Sequence, residues 1–219
     1  MMPAVHLDPA PFPSPRAAAG GRAARDPACA GCLELSLFRA LRRAGLDVQG
    51  GTGCEPDANR PFTAAPGRWA AVVGARRILP SPRGALAEAA RAGARLLILA
   101  DRDGTQACRA AASLAAAGAR ASTLDLADLA ATEAAVRRAD VSGGAGLAVL
   151  VALSPCARRA RRGAPRAIGA SRCNRCGACL SLGCPALSDP GGEAIALDPA
   201  VCAGCGLCEP LCRARAIGR

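Results

Sequence analysis

The sequence predicts an α/β chain: a parallel sheet with helices on both faces, followed by a small cysteine-rich module. Two observations carry this. Short apolar runs of strand length alternate with Ala-rich stretches of helical length as far as residue 153, the pattern of a parallel sheet covered on both sides. Eight of the thirteen cysteines then fall after residue 172, where no such alternation continues.

Taken in order, residues 1–27 are rich in Pro, Ala and Gly and show no period, so they are expected to be a flexible lead-in. "LELSLFRALRRAG" (33–45) places Leu33, Leu37 and Leu41 at helical spacing and ends on Gly45, a fitting cap. "RWAAVVGA" (68–75), "RLLILA" (95–100), "RASTLDL" (120–126) and "LAVLVAL" (147–153) have strand length. Residues 83–92, 105–117 and 127–139 between them read as helices, and Asp125 and Asp128 both suit the cap of the last. From Ser154 to Arg172 the chain is Arg-rich and broken by Pro and Gly. The expected organisation is an α/β domain over 28–156, a linker over 157–171 and a cysteine module over 172–219.

Composition narrows the function. The formal charge is +11, and all 28 basic residues are arginine. With Ala so abundant, that bias reflects a GC-rich genome as much as a binding surface. Aromatic residues make up 2% of the chain, leaving few rings to stack bases, so a nucleic-acid partner is not expected. The start lacks the apolar core of a signal peptide, and no apolar run approaches a membrane span. The expectation is a cytoplasmic chain, with no membrane partner, whose cysteines are reduced and serve as metal ligands.

Cys173, Cys176 and Cys179 follow the Cys-x2-Cys-x2-Cys spacing, and Cys184 precedes Pro185. Cys202, Cys205 and Cys208 repeat it, with Cys212 beyond. Three cysteines so spaced supply three corners of a cubane, and the fourth comes from the other motif. The crossing predicts one [4Fe-4S] cluster on Cys173, Cys176, Cys179 and Cys212, and a second on Cys202, Cys205, Cys208 and Cys184, in a bacterial-type ferredoxin domain. Zinc would leave the third cysteine of each run without a role. Two clusters, each with a net charge of about −2, would lower +11 to about +7.

Of the other five cysteines, Cys108 lies in an Ala-rich helical stretch and is expected to be a buried apolar residue. Cys156 follows the last of these strands, and Cys54, in "GTGC", is taken to follow a strand ahead of 68–75; residues past the carboxyl ends of parallel strands gather at one rim. If the "CAGC" turn of Cys29 and Cys32 lies there too, four thiolates converge and a third [4Fe-4S] cluster becomes feasible. Otherwise these four are unrelated small core residues.

From about Ala28 onward the chain resembles the carboxyl-terminal half of the alpha (large) subunit of indolepyruvate:ferredoxin oxidoreductase. "CGACLSLGCPAL" followed by "CAGCGLCEPLC" carries the likeness most specifically, and "CAGC", "GTGC" and "LSPC" fall in order where that family has similar cysteine motifs. The resemblance implies a thiamine-diphosphate-type sheet and a redox role beside a 2-oxoacid oxidoreductase. The departures fall where thiamine diphosphate would bind: Glu34 stands at the family's His, Gly51 and Ala75 at its Asp positions, and Asp101 near its magnesium-binding Asn. Thiamine diphosphate needs a divalent cation held by oxygen ligands, and Ala75 offers none. The expectation is therefore a degenerate, shortened thiamine-type domain and no catalytic residue. The chain would be an electron-transfer protein or subunit relaying electrons between a redox partner and ferredoxin, with a separate 2-oxoacid oxidoreductase subunit as one candidate partner. The competing expectation is a shortened but active 2-oxoacid oxidoreductase that uses thiamine diphosphate and needs a partner chain.

Overall fold

The computed structural model describes residues 29–50, 61–101, 104–142, 147–153, 163–191 and 194–218. Five strands form one sheet: β1 (Asp47–Gly50), β2 (Trp69–Val73), β3 (Leu96–Asp101), β4 (Ala121–Leu124) and β5 (Ala148–Leu153). Their order is β1-β2-β3-β5-β4, and every pairing is parallel. The α/β expectation holds. The central strands are apolar at almost every position because both faces are covered. The edge strands "DVQG" and "ASTL" carry polar residues and are largely solvent-facing, which discourages pairing with another chain.

The helices are α1 (Glu34–Arg43), α2 (Ala75–Ile78), α3 (Pro82–Arg91), α4 (Gly104–Ala116) and α5 (Leu129–Ser142). Alternation along the strands sorts them into two layers. Ala70, Val72, Leu96, Ile98, Leu150 and Ala152 share one core with α1 and α5. Trp69, Ala71, Val73, Leu97, Leu99 and Val151 share the other with α2, α3 and α4. Below the sheet, buried Asp140 of α5 pairs with Arg68 and with Arg95, the residues leading into β2 and β3.

Three helices stop in the same way. After α1, the Gly45 and Leu46 amides donate to the Arg42 and Leu41 carbonyls, with Gly45 at φ 67°. Gly93 and Gly118 repeat this double bond after α3 and α4. The turn needs a left-handed residue, which glycine supplies without a Cβ clash. Of the two candidate caps for α5, Asp128 does the capping, accepting the Ala131 amide at 2.9 Å; Asp125 turns back on Ala127.

Cys108 corrects an expectation: it is exposed, not buried. The buried row of α4 is Ala107, Ala110 and Leu114, and Cys108 sits one residue, about 100° of helix, round from it.

The tail is built from short pieces. β6 (Ala167–Ile168) pairs antiparallel with β9 (Ile217–Gly218), and β7 (Leu187–Ser188) with β8 (Ala196–Leu197). The Gly163 amide also donates to the Ala203 carbonyl at 3.0 Å. Residues 163–168, which sequence alone gives to the linker, are thus stitched into the tail. The tail packs on the α/β domain through a third apolar core, where Leu35 and Leu129 meet Leu182, Ile195, Leu207 and Ile217. Polar contacts flank it: Arg39 Nε donates to Ser181 Oγ at 2.9 Å and Arg42 to the Ser181 carbonyl at 3.1 Å.

Candidate metal centre

The tail wraps its cysteines with tight turns and almost no regular structure. Cys173, Cys176, Cys179 and Cys212 line one cavity together with Ile168, Ile195, Leu211 and Ile217. On the other side Cys184 lies within electrostatic reach of Cys202 and Cys205, and Cys208 of all three. The cysteine that follows each triplet in sequence therefore lies with the other triplet. Cys179 and Cys208 are buried, while Cys176 and Cys205 stand exposed at the turn tips. Gly204 is held against the 163–164 backbone at φ 72°, where a Cβ would come within 2.5 Å of the Ala164 carbonyl oxygen.

Burial pushes the Cys179 thiol up to about 11, with Cys176 and Cys212 adding to the effect. Burial pushes Cys208 up to about 12, with Cys205 the next cause. Cys184 is also raised, chiefly by burial, against the pull of the Ala186 and Gly31 amides. Without a bound cation these thiols keep their protons at neutral pH, so a metal must make the thiolates it binds. Backbone amides already aim at the sulfurs: Ala216 donates to Cys212 Sγ at 3.1 Å and Gly204 to Cys202 Sγ at 3.4 Å.

The donor chemistry fits an iron–sulfur cluster. The first set is four sulfurs in a cavity with no carboxylate or imidazole, lined otherwise by mainly apolar residues together with Asn174. Among the described residues, no three His, Cys, Asp or Glu side chains group closely enough to hold a single ion.

The other cysteines divide. Cys29 is exposed and Cys32 buried, joined by a turn in which the Cys32 amide donates to the Cys29 carbonyl at 3.0 Å. The Cys32 thiol donates to Glu34 Oε2 at 3.4 Å, and Glu34 is fully buried. The turn does not stand apart from the tail, since its Gly31 amide points at Cys184. Cys54, Cys156 and Gly51 lie outside the described residues.

The positions compared with a magnesium site do not suit one. Ala75 is buried and opens α2, and its amide donates to Asp101 Oδ2 at 2.6 Å. The carboxylate nearest the expected metal position therefore caps a one-turn helix. Arg77 pairs with Glu88 at 2.5 Å and lies over the Phe62 ring, so it belongs to the packing of that corner. Sequence alone missed the Cys32–Glu34 and Asp101–Ala75 contacts, since each depends on local geometry that no motif encodes.

No protein-family profile and no solved structure matches the chain. Among the described residues, no helix is long and apolar enough to cross a membrane. One curated protein is similar, indolepyruvate oxidoreductase subunit IorA of Methanothermobacter thermautotrophicus, 38% identical over 74 residues. That stretch is 32% of this chain and 12% of the relative, so the chain spans about an eighth of the relative's length and is related to it over that part.

Proposed function

We propose that the chain is an electron-transfer protein or subunit that carries single electrons through two [4Fe-4S] clusters in a ferredoxin-type tail. One cluster would be held by Cys173, Cys176, Cys179 and Cys212, the other by Cys184, Cys202, Cys205 and Cys208. The observation that carries this is the crossing of the two cysteine sets, each completed by the far cysteine of the other motif. Crossing serves two clusters of four thiolates held side by side, the arrangement for passing electrons. When bound, the clusters supply reversible one-electron storage. The protein's part is to fix the thiolates, donate amide hydrogen bonds to them, and exclude water with Leu182, Ile195, Leu207 and Ile217.

The partial similarity to an indolepyruvate oxidoreductase subunit supports a place beside a 2-oxoacid oxidoreductase, with ferredoxin or another redox protein as exchange partner. The α/β domain then acts as a shortened thiamine-type scaffold. Turnover of a 2-oxoacid by this chain is not part of the proposal, because Ala75 and the engaged Asp101 do not suit a magnesium–diphosphate site. The Cys29–Cys32 turn is half of a possible third cluster, whose other half would be Cys54 and Cys156.

Iron, acid-labile sulfide and zinc counted per chain after anaerobic purification test this. About eight irons with matching sulfide are expected, and about twelve if the third cluster forms. Stoichiometric zinc with little iron would overturn the proposal. Calorimetry with thiamine diphosphate and magnesium should show no heat.

A further inference from the structure

The two cysteine sets are alike in spacing and exposure but not in charge. Three of the four cysteines of the first set are bordered by arginine: Arg172 precedes Cys173, Arg175 precedes Cys176 and Arg213 follows Cys212, while Arg215 precedes the cavity-lining Ala216. All four are exposed. The acid paired among them is Asp189, which accepts from Arg175 at 2.8 Å. Around the second set the flanking residues are Val201, Ala203, Gly204, Gly206, Leu207, Gly183, Pro185 and one acid, Glu209, with no arginine among them. The nearby Arg166 is neutralised by Glu209.

The arginines are also held at a conformational cost. Among the described residues, Arg175 at φ 54° and Arg215 at φ 51° are the non-glycine residues in the left-handed region. Both are on this rim, at turns where glycine or asparagine would sit without strain. Burial offers no reason for a long cation at either place, since both side chains reach solvent.

We infer that this arginine rim is the docking surface for an acidic one-electron carrier, and that electrons leave the chain through the first cysteine set. The inference rests on the proposed function and gives it a direction. Positive charge beside a cluster favours its reduced, more negative form, so the first set should hold the cluster of higher potential. The second set touches the α/β domain through Cys184, which the Gly31 amide reaches. Electrons delivered on the α/β side by a low-potential donor would pass from the second set to the first. One electron would then cross the rim and reduce the docked carrier by one as the first-set cluster is reoxidised, with no bond made and no proton moved. Arginine suits the task because its planar fork meets carboxylates two bonds at a time.

The test uses the full chain, purified anaerobically with its iron counted, and an acidic plant-type [2Fe-2S] ferredoxin as probe. Binding is measured over a series of salt concentrations for the wild type and for a variant carrying Arg172→Gln, Arg175→Gln, Arg213→Gln and Arg215→Gln. A double variant, Arg172→Gln with Arg213→Gln, avoids the two strained turns. A control variant carries Arg91→Gln, Arg109→Gln and Arg120→Gln, all exposed on the α/β domain. The fourfold variant should associate on the order of tenfold more slowly, with a flatter salt dependence, and the double variant should fall between. In a redox titration followed by electron paramagnetic resonance, the higher of the two potentials should drop in the fourfold variant and the lower should stay. Failure of the wild type to bind at low salt, or an equal loss in the control, would overturn the inference. A chain without iron would sink the proposed function beneath it, whereas an iron-loaded chain indifferent to the four arginines would sink this step alone.

Discussion

Arg39 and Arg215 show residues serving opposite ends. Arg39 is nearly buried on α1, where it pairs with Glu133 and donates to Ser181 of the tail. Burial first, then repulsion from Arg43 and Arg42, lowers it to about 10, which leaves it charged at neutral pH. Replacing it by Met would leave Glu133, largely buried, with Arg43 at 3.2 Å and Arg137 at 3.6 Å. The expected loss is about 2–3 kcal/mol, less than for an abandoned buried charge because those partners remain, read from urea unfolding. Arg215 is the reverse case, an exposed arginine on a left-handed turn. Arg215→Gly should raise stability by about 1 kcal/mol in thermal unfolding while weakening carrier binding, so the two measurements should move apart.

Helices of such plain composition owe their limits to their ends. Gly118 after α4 has φ 93°, and a Cβ built there meets nothing within 4 Å, so Gly118→Ala tests backbone strain alone. A loss of about 1 kcal/mol is expected, seen as a lower denaturant midpoint with an unchanged slope. The same signals made these elements legible. "RWAAVVGA", "RLLILA" and "LAVLVAL" are too short and too apolar to be anything but covered strands, and Gly45 marks where α1 ends. The sequence did not reveal the strand order, because crossovers of similar length permit several. It also hid which side of α4 is buried: with alanine on every face, Cys108 had no periodic reference. α2 escaped notice because it is one turn long and its cap, Asp101, lies 26 residues away. The cysteine sets were legible as a spacing. Which arginines border them was written in the same letters, but their exposure and left-handed turns needed coordinates.

At the scale of the whole molecule, α1 belongs to two cores. Leu37, Phe38 and Leu41 pack on the sheet, and Leu35 packs with Leu182, Leu207 and Ile217 of the tail. Leu35→Ala should cost about 3 kcal/mol and, if the proposed clusters form, loosen the tail's hold on them, so iron retained after gel filtration should fall along with the unfolding midpoint. Because the cores share a helix, circular dichroism of the sheet and visible absorption of the proposed clusters should melt in one coincident transition. The clasp between β6 and β9 adds a mechanical consequence. Ala167 faces Gly218 and Ile168 faces Ile217, so the chain enters and leaves the tail side by side. Tension applied across those two points would peel the bonds apart one after another, like a zipper, whereas the parallel β2–β3 pair would bear its load along all its bonds at once. Under pull, the tail gives way first and the sheet holds.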